Sequence, residues 1–177
     1  GLEKELEETV EAVKAESSLP VVLFPGDFSQ LTSKSDAVLF LSLISGRNVE
    51  YLIDQQIKAV SYLKNTNLEI LPTGYILLDG GNESAIARVT NTRPMSQENI
   101  KAIVHTALAG QYMGAKFIYL EAGSGALYPV KAEVIRAVKM EIDIPLFVGG
   151  GISTKEQRNT AYVSGADIVV MGTVFEK

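Results

Sequence analysis

The sequence predicts an α/β fold built on a parallel sheet, and three observations point there. Strand-like and helix-like segments alternate along the whole chain. The strand-like segments are continuous apolar runs, the pattern of parallel strands covered on both faces, and the helices between them supply the crossovers that parallel neighbours need. The chemistry-bearing residues follow the C-terminal ends of strands: Glu121 closes FIYLE, Gly149–Gly151 follow Leu146–Val148, and Gly172-Thr173 follow Ile168–Met171. That is where the sites of TIM (β/α)8-type barrels lie, with a phosphate often held by the loops after the seventh and eighth strands. A Rossmann-type sheet shares the alternation, but no Gly-x-Gly-x-x-Gly turn follows the first strand here.

Taken in order, Leu2, Leu6, Val10 and Val13 recur at helical spacing between charged residues, predicting an amphipathic helix over Gly1–Glu16. Val21–Phe24 is a short strand stopped by Pro25-Gly26. Ala37–Ile44 is the next strand, followed by the loop Ser45-Gly46-Arg47-Asn48. Leu52, Ile53, Ile57, Val60 and Leu63 place one apolar stripe on a helix reaching about Lys64. Leu68–Leu78 is strand-like, with Pro72 and Gly74 expected to kink it or change its partner. Asp79–Pro94 has no clean period and reads as a long functional loop. Ser96 is expected to cap a helix with the stripe Ile100, Val104, Leu108. The strand Phe117–Glu121 follows, then a helix over about Lys131–Met140 with Val134, Ile135 and Val138 inward. After the strand Leu146–Val148, Ser153 and Glu156 have capping-box spacing for a helix to about Ser164.

This gives about six strands in 177 residues, whereas a complete eight-stranded barrel takes about 250 residues. Taking the last two strands as the seventh and eighth makes Val21–Phe24 the third. The expectation is one partial barrel domain over residues 1–177, without the first two strands and the last helix. Such a sheet would leave two open strand edges, which favours a homo-oligomer.

Composition narrows the function. The net charge is −5 with no Lys/Arg-rich block, so nucleic acid is not an expected partner. Absence of cysteine excludes disulfides, thiol nucleophiles and thiolate metal sites. No apolar run approaches the roughly 20 residues of a membrane-spanning helix, and no signal peptide is visible. A cytoplasmic protein is the default, and a lipid substrate would be met in a groove or at a membrane surface.

The stretch FIYLEAGSGALY, Phe117–Tyr128, organises the rest. A strand ends in a carboxylate, and a Gly-Ser-Gly turn presents backbone N–H groups beside it. This pairing suits a phosphate ester and removal of a proton from it. The bland alternative is an ion pair for Glu121 across a barrel mouth and a tight turn at each glycine cluster. Tyr119 alternates onto the same side of the strand as Glu121. Free N–H groups near a helix start would make Gly149–Gly151 a second phosphate-binding turn.

LFPGDFSQ at Leu23–Gln30, FLSLISGRN at Phe40–Asn48, TGYIL at Thr73–Leu77, YLEAGSGA at Tyr119–Ala126, VGGGI at Val148–Ile152 and the final Gly172-Thr173 occur in this order. Together they resemble the geranylgeranylglyceryl phosphate synthase family of prenyltransferases, which includes bacterial heptaprenylglyceryl phosphate synthases. YLEAGSGA is the most specific element, and the resemblance covers essentially the whole chain. It implies a TIM-barrel transferase of phospholipid biosynthesis, joining a polyprenyl diphosphate, geranylgeranyl foremost, to sn-glycerol 1-phosphate. Diphosphate would leave, with Mg²⁺ as cofactor. Glycerol 1-phosphate would lie against Tyr119, Leu120, Glu121, Ala122, Gly123, Ser124, Gly125, Gly149, Gly150, Gly151, Gly172 and Thr173. Glu121 would accept the proton of the attacking hydroxyl, with Tyr119 beside it.

In the family a first-strand aspartate near a lysine, and a hydroxyl residue after the second strand, hold the metal. Neither segment is in this sequence, so no residue is assigned to the metal, and the 177 residues alone are expected to be nearly inactive. A sugar-phosphate isomerase or an inactive phosphate-binding fragment remain as alternatives. Among the other polar residues, Arg47 is the best cation for a diphosphate, with Arg88 and Arg93 reading as solvated loop charge. His105 reads as structural, and Tyr51, Tyr62, Tyr75 and Tyr112 as core or groove lining. Asp27, Asp36 and Asp79 are metal ligands by residue type only.

Overall fold

Apolar runs too short for helices pair edge to edge, in the order in which they occur. The structure, a computed structural model, describes residues 2–175, with the backbone alone for Leu2, Glu3 and Thr173. Its strands are β1 (Val22–Leu23), β2 (Ala37–Leu43), β3 (Glu69–Leu77), β4 (Phe117–Glu121), β5 (Leu146–Gly149) and β6 (Ile168–Val170). They form one six-stranded sheet in sequence order, and every adjacent pair is parallel. The helices are α1 (Leu2–Glu16), α2 (Gln55–Leu63), α3 (Ala85–Thr90), α4 (Ile100–Tyr112), α5 (Ala132–Glu141) and α6 (Lys155–Val163). After β6 the described chain makes a 3-10 turn at Thr173–Phe175 rather than a helix. This is an open half-barrel of (β/α) type, as the alternation predicts.

Its two sheet faces are both apolar, for different reasons. One face, with Ile76, Ile118, Leu120, Leu146 and Val148, packs on Ile103 and Ala107 of α4 and on Val134, Ile135 and Val138 of α5. The other face gathers Leu39, Leu43, Tyr75, Leu77, Tyr119 and Phe147. A third cluster joins β1 and β2 to α1 and α2 through Val10, Leu23, Val38, Ala59 and Leu63. Leu120 is fully buried between β3 and β5. Leu120→Ala should cost about 2–5 kcal/mol, read as a lower urea midpoint at unchanged slope.

Several expectations change in detail. β3 runs unbroken through Pro72, and from Thr73 onward it takes β4 as a second partner. The Pro72 carbonyl accepts from Lys116 N at 2.8 Å, so its missing N–H faces the side where β4 has not yet begun. The expected stripe on α2 is rotated: Gln56, Ala59 and Leu63 are buried, whereas Ile53, Ile57 and Val60 are exposed, Ile57 by 62 %. A π-helical turn at Glu50–Asp54 causes this, because its wider turns shift the faces of all that follows. Ser42 Oγ pins that turn by donating to Leu52 O at 2.6 Å, and Gln56 Nε2 donates to Leu41 O.

The long loop contains α3, capped by Ser84 Oγ, which accepts from Ala87 N at 3.1 Å. Asn99, not Ser96, caps α4, and the face of α4 turned to the core is Ile103, Ala107 and Gly110. Ile100, Val104 and Leu108 flank it, partly buried. The capping box of α6 is Thr154 with Gln157, one residue beyond the Ser153/Glu156 pair.

Candidate active site

Parallel strands put every strand-to-helix loop at one end of the sheet, so the glycine turns after β4, β5 and β6 become neighbours. Glu121 is the last residue of β4 and only 6 % exposed. The strand end is fixed on both sides: Leu78 N donates to Glu121 O at 2.8 Å, and Ala122 N donates to Gly149 O at 3.0 Å. The carboxylate Oε1 accepts from Gly123 N at 2.7 Å.

Burial pushes the Glu121 pKa above the usual carboxylate range, and the Gly123 N–H and the Tyr119 and Tyr75 hydroxyls hold part of that rise back. Both tyrosines are themselves pushed up, first by burial and then by the nearby carboxylate. The Tyr75 hydroxyl faces this environment without completing a hydrogen bond of its own. Both phenols therefore stay protonated at neutral pH, and Glu121 is the group of the three that can change charge.

The Gly-Ser-Gly turn follows at once. Gly123 and Gly125 have φ of 100° and 70°, and Ala126 N closes the turn onto Gly123 O at 3.1 Å. Gly150, with φ of 81°, lies directly against it. A Cβ added there would stand 2.4 Å from Glu121 Oε1 and 2.5 Å from Gly123 N. Tyr119, Glu121, Gly123, Gly149 and Gly150 thus form one contiguous wall, with Gly151 against Ala126, whereas Leu120 and Ala122 alternate to the other face of the sheet and are buried under the helices. Ser124 and Gly125 are exposed at the turn's tip. Gly172 follows the adjacent strand β6 at the same end, and the Thr173 side chain lies outside the described residues. One difference matters: the Gly123 N–H, read from sequence as an anion donor, is taken by Glu121.

An apolar cavity of about 460 Å³ runs beside this wall, within the size range of ligand pockets. Leu39 and Leu41 of β2, Tyr51 of the π turn, Ala59 and Leu63 of α2 and Ile86 of α3 line it. Phe24 and Tyr75 also line it, and both pack on Tyr119. Phe24 stacks on Tyr119 at 5.4 Å between ring centroids, Tyr75 lies 5.1 Å from Tyr119, and Phe147 stacks on its other face at 5.6 Å. Sequence reading left Tyr75 as core or groove lining and gave Phe24 no role. Their meeting depends on sheet curvature, which no local pattern encodes.

The remaining candidates are placed as follows. Arg47 Nη1 donates to Ile44 O and Gly46 O, at 3.3 and 2.6 Å, folding the guanidinium back onto its own loop. Arg88, Arg93 and His105 are exposed. Tyr62 accepts from Ser33 N at 3.0 Å, and Tyr112 is exposed at the end of α4. Asp27 is held by Ser29 N and Oγ, Asp36 by Lys14 and Val21 N, and Asp79 by Gly81 N. No group of three acidic or histidine residues suited to a metal stands together among the described residues. No residue among those described is assigned to a Mg²⁺ ion.

A parallel half-barrel with a buried carboxylate, facing glycine turns and an adjoining apolar groove defines a barrel enzyme for a small anionic substrate and an apolar partner. The chain belongs to the PcrB family, whose pattern it matches over residues 2–177. It is 59 % identical over 167 residues to a geranylgeranylglyceryl phosphate synthase of Zunongwangia profunda, covering 94 % of this chain and 71 % of that protein. It is 42 % identical over 172 residues to the Thermococcus kodakarensis protein of that name, covering 97 % of this chain and 68 % of the other. Its fold superposes with a TM-score of 0.91 on the (S)-3-O-geranylgeranylglyceryl phosphate synthase of Thermoplasma acidophilum, solved in complex with substrate sn-glycerol-1-phosphate. The identity there is 37 %, and the match covers 97 % of this chain and 69 % of that one.

Proposed function

We infer that this chain is a prenyltransferase of the geranylgeranylglyceryl phosphate synthase type, joining geranylgeranyl diphosphate to sn-glycerol 1-phosphate. Family membership, and the close relatives that carry that name, give the class. The observation that carries the site assignment is the shared wall: Tyr75 lines the apolar groove and also packs on Tyr119, beside Glu121.

Glycerol phosphate would place its phosphate at the glycine turns and its free hydroxyl at Glu121. The prenyl chain would lie in the groove with its diphosphate-bearing carbon toward Tyr75 and Tyr119. The hydroxyl oxygen forms a bond to that carbon as the bond to diphosphate breaks, and the hydroxyl proton passes to Glu121. Positive charge developing on the allylic carbon meets the electron-rich faces of Phe24, Tyr75 and Tyr119. Water is kept from it by the same rings.

Mg²⁺ is the ion the resemblance implies for neutralising the diphosphate; no residue of this chain is assigned to it, so no step is routed through it. The assay is transfer of radiolabelled sn-glycerol 1-phosphate to geranylgeranyl diphosphate with added Mg²⁺. Formation of the prenyl ether with release of diphosphate is expected, and absence of transfer with both substrates and Mg²⁺ present would overturn this reading.

A second expectation concerns pH. The base must be ionised, and Glu121 is held above the ordinary carboxylate range. Activity should therefore fall as pH drops through a raised carboxylate pKa, giving an acidic limb displaced upward from about 4.3. A limb at or below the ordinary value would contradict the role given to Glu121.

The chain is also proposed to form homo-oligomers. β1 and β6 end the sheet on open edges, and Ile53, Ile57 and Val60 expose an apolar face. A monodisperse monomer by light scattering at high concentration would contradict this. No helix among the described residues is long and apolar enough to cross a membrane, and an encounter with a membrane surface remains part of the proposal for the lipid substrate.

A further inference from the structure

We propose that Gln97 is a positioning residue for the glycerol phosphate site, holding the outer wall of the glycine turn in place from behind. The proposal rests on the reading of that turn as the phosphate site. Gln97 lies just before α4 and is buried, and its hydrogen bonds go to Asp79, Pro129 and Lys131 rather than to the wall residues. Its amide nevertheless joins both loops that build the wall. Nε2 donates to Asp79 O at 2.7 Å and to Pro129 O at 3.4 Å, while Oε1 accepts from Lys131 N at 2.7 Å. One side chain therefore ties the segment after β3 to the far end of the segment after β4.

What it ties is the support of the turn itself. Gly80, next to Asp79, accepts from Leu127 N at 2.9 Å and Tyr128 N at 3.0 Å. Its backbone is pressed so closely on the turn that an added Cβ would stand 2.3 Å from Ala122 O. Asn82 Nδ2 reaches the turn's tip at Gly125 O, 3.1 Å away. The Gly80–Asn82 segment is thus a brace under residues 122–128, and Gln97 is the bond that fixes its near end to Pro129 and Lys131. Met95 adds to this by bridging β3, with Met95 N donating to Leu77 O and Asp79 N donating to Met95 O, each at 2.9 Å.

The residue choice follows from the geometry. The site needs donors for two carbonyls and an acceptor for one N–H, and a carboxamide supplies both at one carbon. Glutamate would keep the acceptor and lose the donors. Methionine would fill similar volume and lose all three bonds.

The test is calorimetric titration of sn-glycerol 1-phosphate into the full chain, wild type beside Gln97→Met and Gln97→Glu. Radiolabelled geranylgeraniol in equilibrium dialysis reports on the groove. Both variants are expected to bind glycerol phosphate about tenfold or more weakly, because a turn displaced by even one lost bond meets the anion poorly. Geranylgeraniol binding should be unchanged, since the cavity lining excludes this region. Equal loss of both ligands would mark general unfolding and overturn the positioning role. Wild-type affinity for glycerol phosphate in both variants would overturn it too. A wild-type chain that takes up geranylgeraniol but not glycerol phosphate would instead overturn the assignment of the turn, and this inference with it.

Discussion

Glu121→Gln is expected to remove prenyl transfer by a factor of about a hundred to ten thousand while leaving sn-glycerol 1-phosphate bound. The substitution keeps size and shape and still offers an oxygen to the Gly123 N–H, 2.7 Å away. It removes the basicity that burial has raised. A positioned general base contributes about 10²–10⁴ in rate, so the loss should fall in kcat. The acidic limb of the pH profile should vanish in the same variant. The measurement is steady-state transfer, with calorimetry for glycerol phosphate. A variant retaining more than about a tenth of the wild-type rate would remove Glu121 from the role of base.

Gly150→Val is expected to abolish glycerol phosphate binding, with Ser124→Ala costing far less. Gly150 has φ of 81°, a conformation that costs an ordinary residue roughly 1–3 kcal/mol. Any Cβ there would also overlap Glu121 Oε1 and the Gly123 backbone, at 2.4 to 2.8 Å, and neither is the loose end of a flexible chain. The turn after β4 must move away, carrying the carboxylate with it. Ser124 sits exposed at the tip, and the turn's shape is set by its flanking glycines. Calorimetry on both variants ranks them, and a Ser124→Ala loss as deep as that of Gly150→Val would mean that side chains, not backbone, hold the phosphate.

Much of this is legible in the sequence, for identifiable reasons. β4 lies where its apolar run and the closing Glu121 place it, because a buried parallel strand reads as a nearly continuous apolar run. Val134, Ile135 and Val138 face inward as their spacing predicts, on a helix with no irregularity. The inward face of α2 was misread because counting by 3.6 assumes no π turn upstream, and that turn is stabilised by Ser42 on a neighbouring strand. α3 escaped because six residues are too few to show a period. The α6 cap slipped by one because serine and threonine stand side by side and either can cap. At the site, Glu121 and its turn are contiguous in sequence and so were readable. Phe24, Tyr75 and Gln97 act through contacts between distant segments, and nothing in their immediate neighbours distinguishes them.

The bond from Gly123 N to Glu121 has a thermodynamic consequence. It favours the ionised carboxylate, and it occupies a donor that an incoming phosphate would compete for. If phosphate takes that N–H, the carboxylate loses its strongest support and gains an anion nearby, so its proton affinity rises on substrate binding. Linkage then makes the effect reciprocal, and glycerol phosphate should bind more tightly once Glu121 carries a proton. The base would be weakest in the empty enzyme and strongest when there is a hydroxyl to deprotonate. An NMR titration of Glu121 with and without glycerol phosphate reads this directly, and a downward shift on binding would refute it.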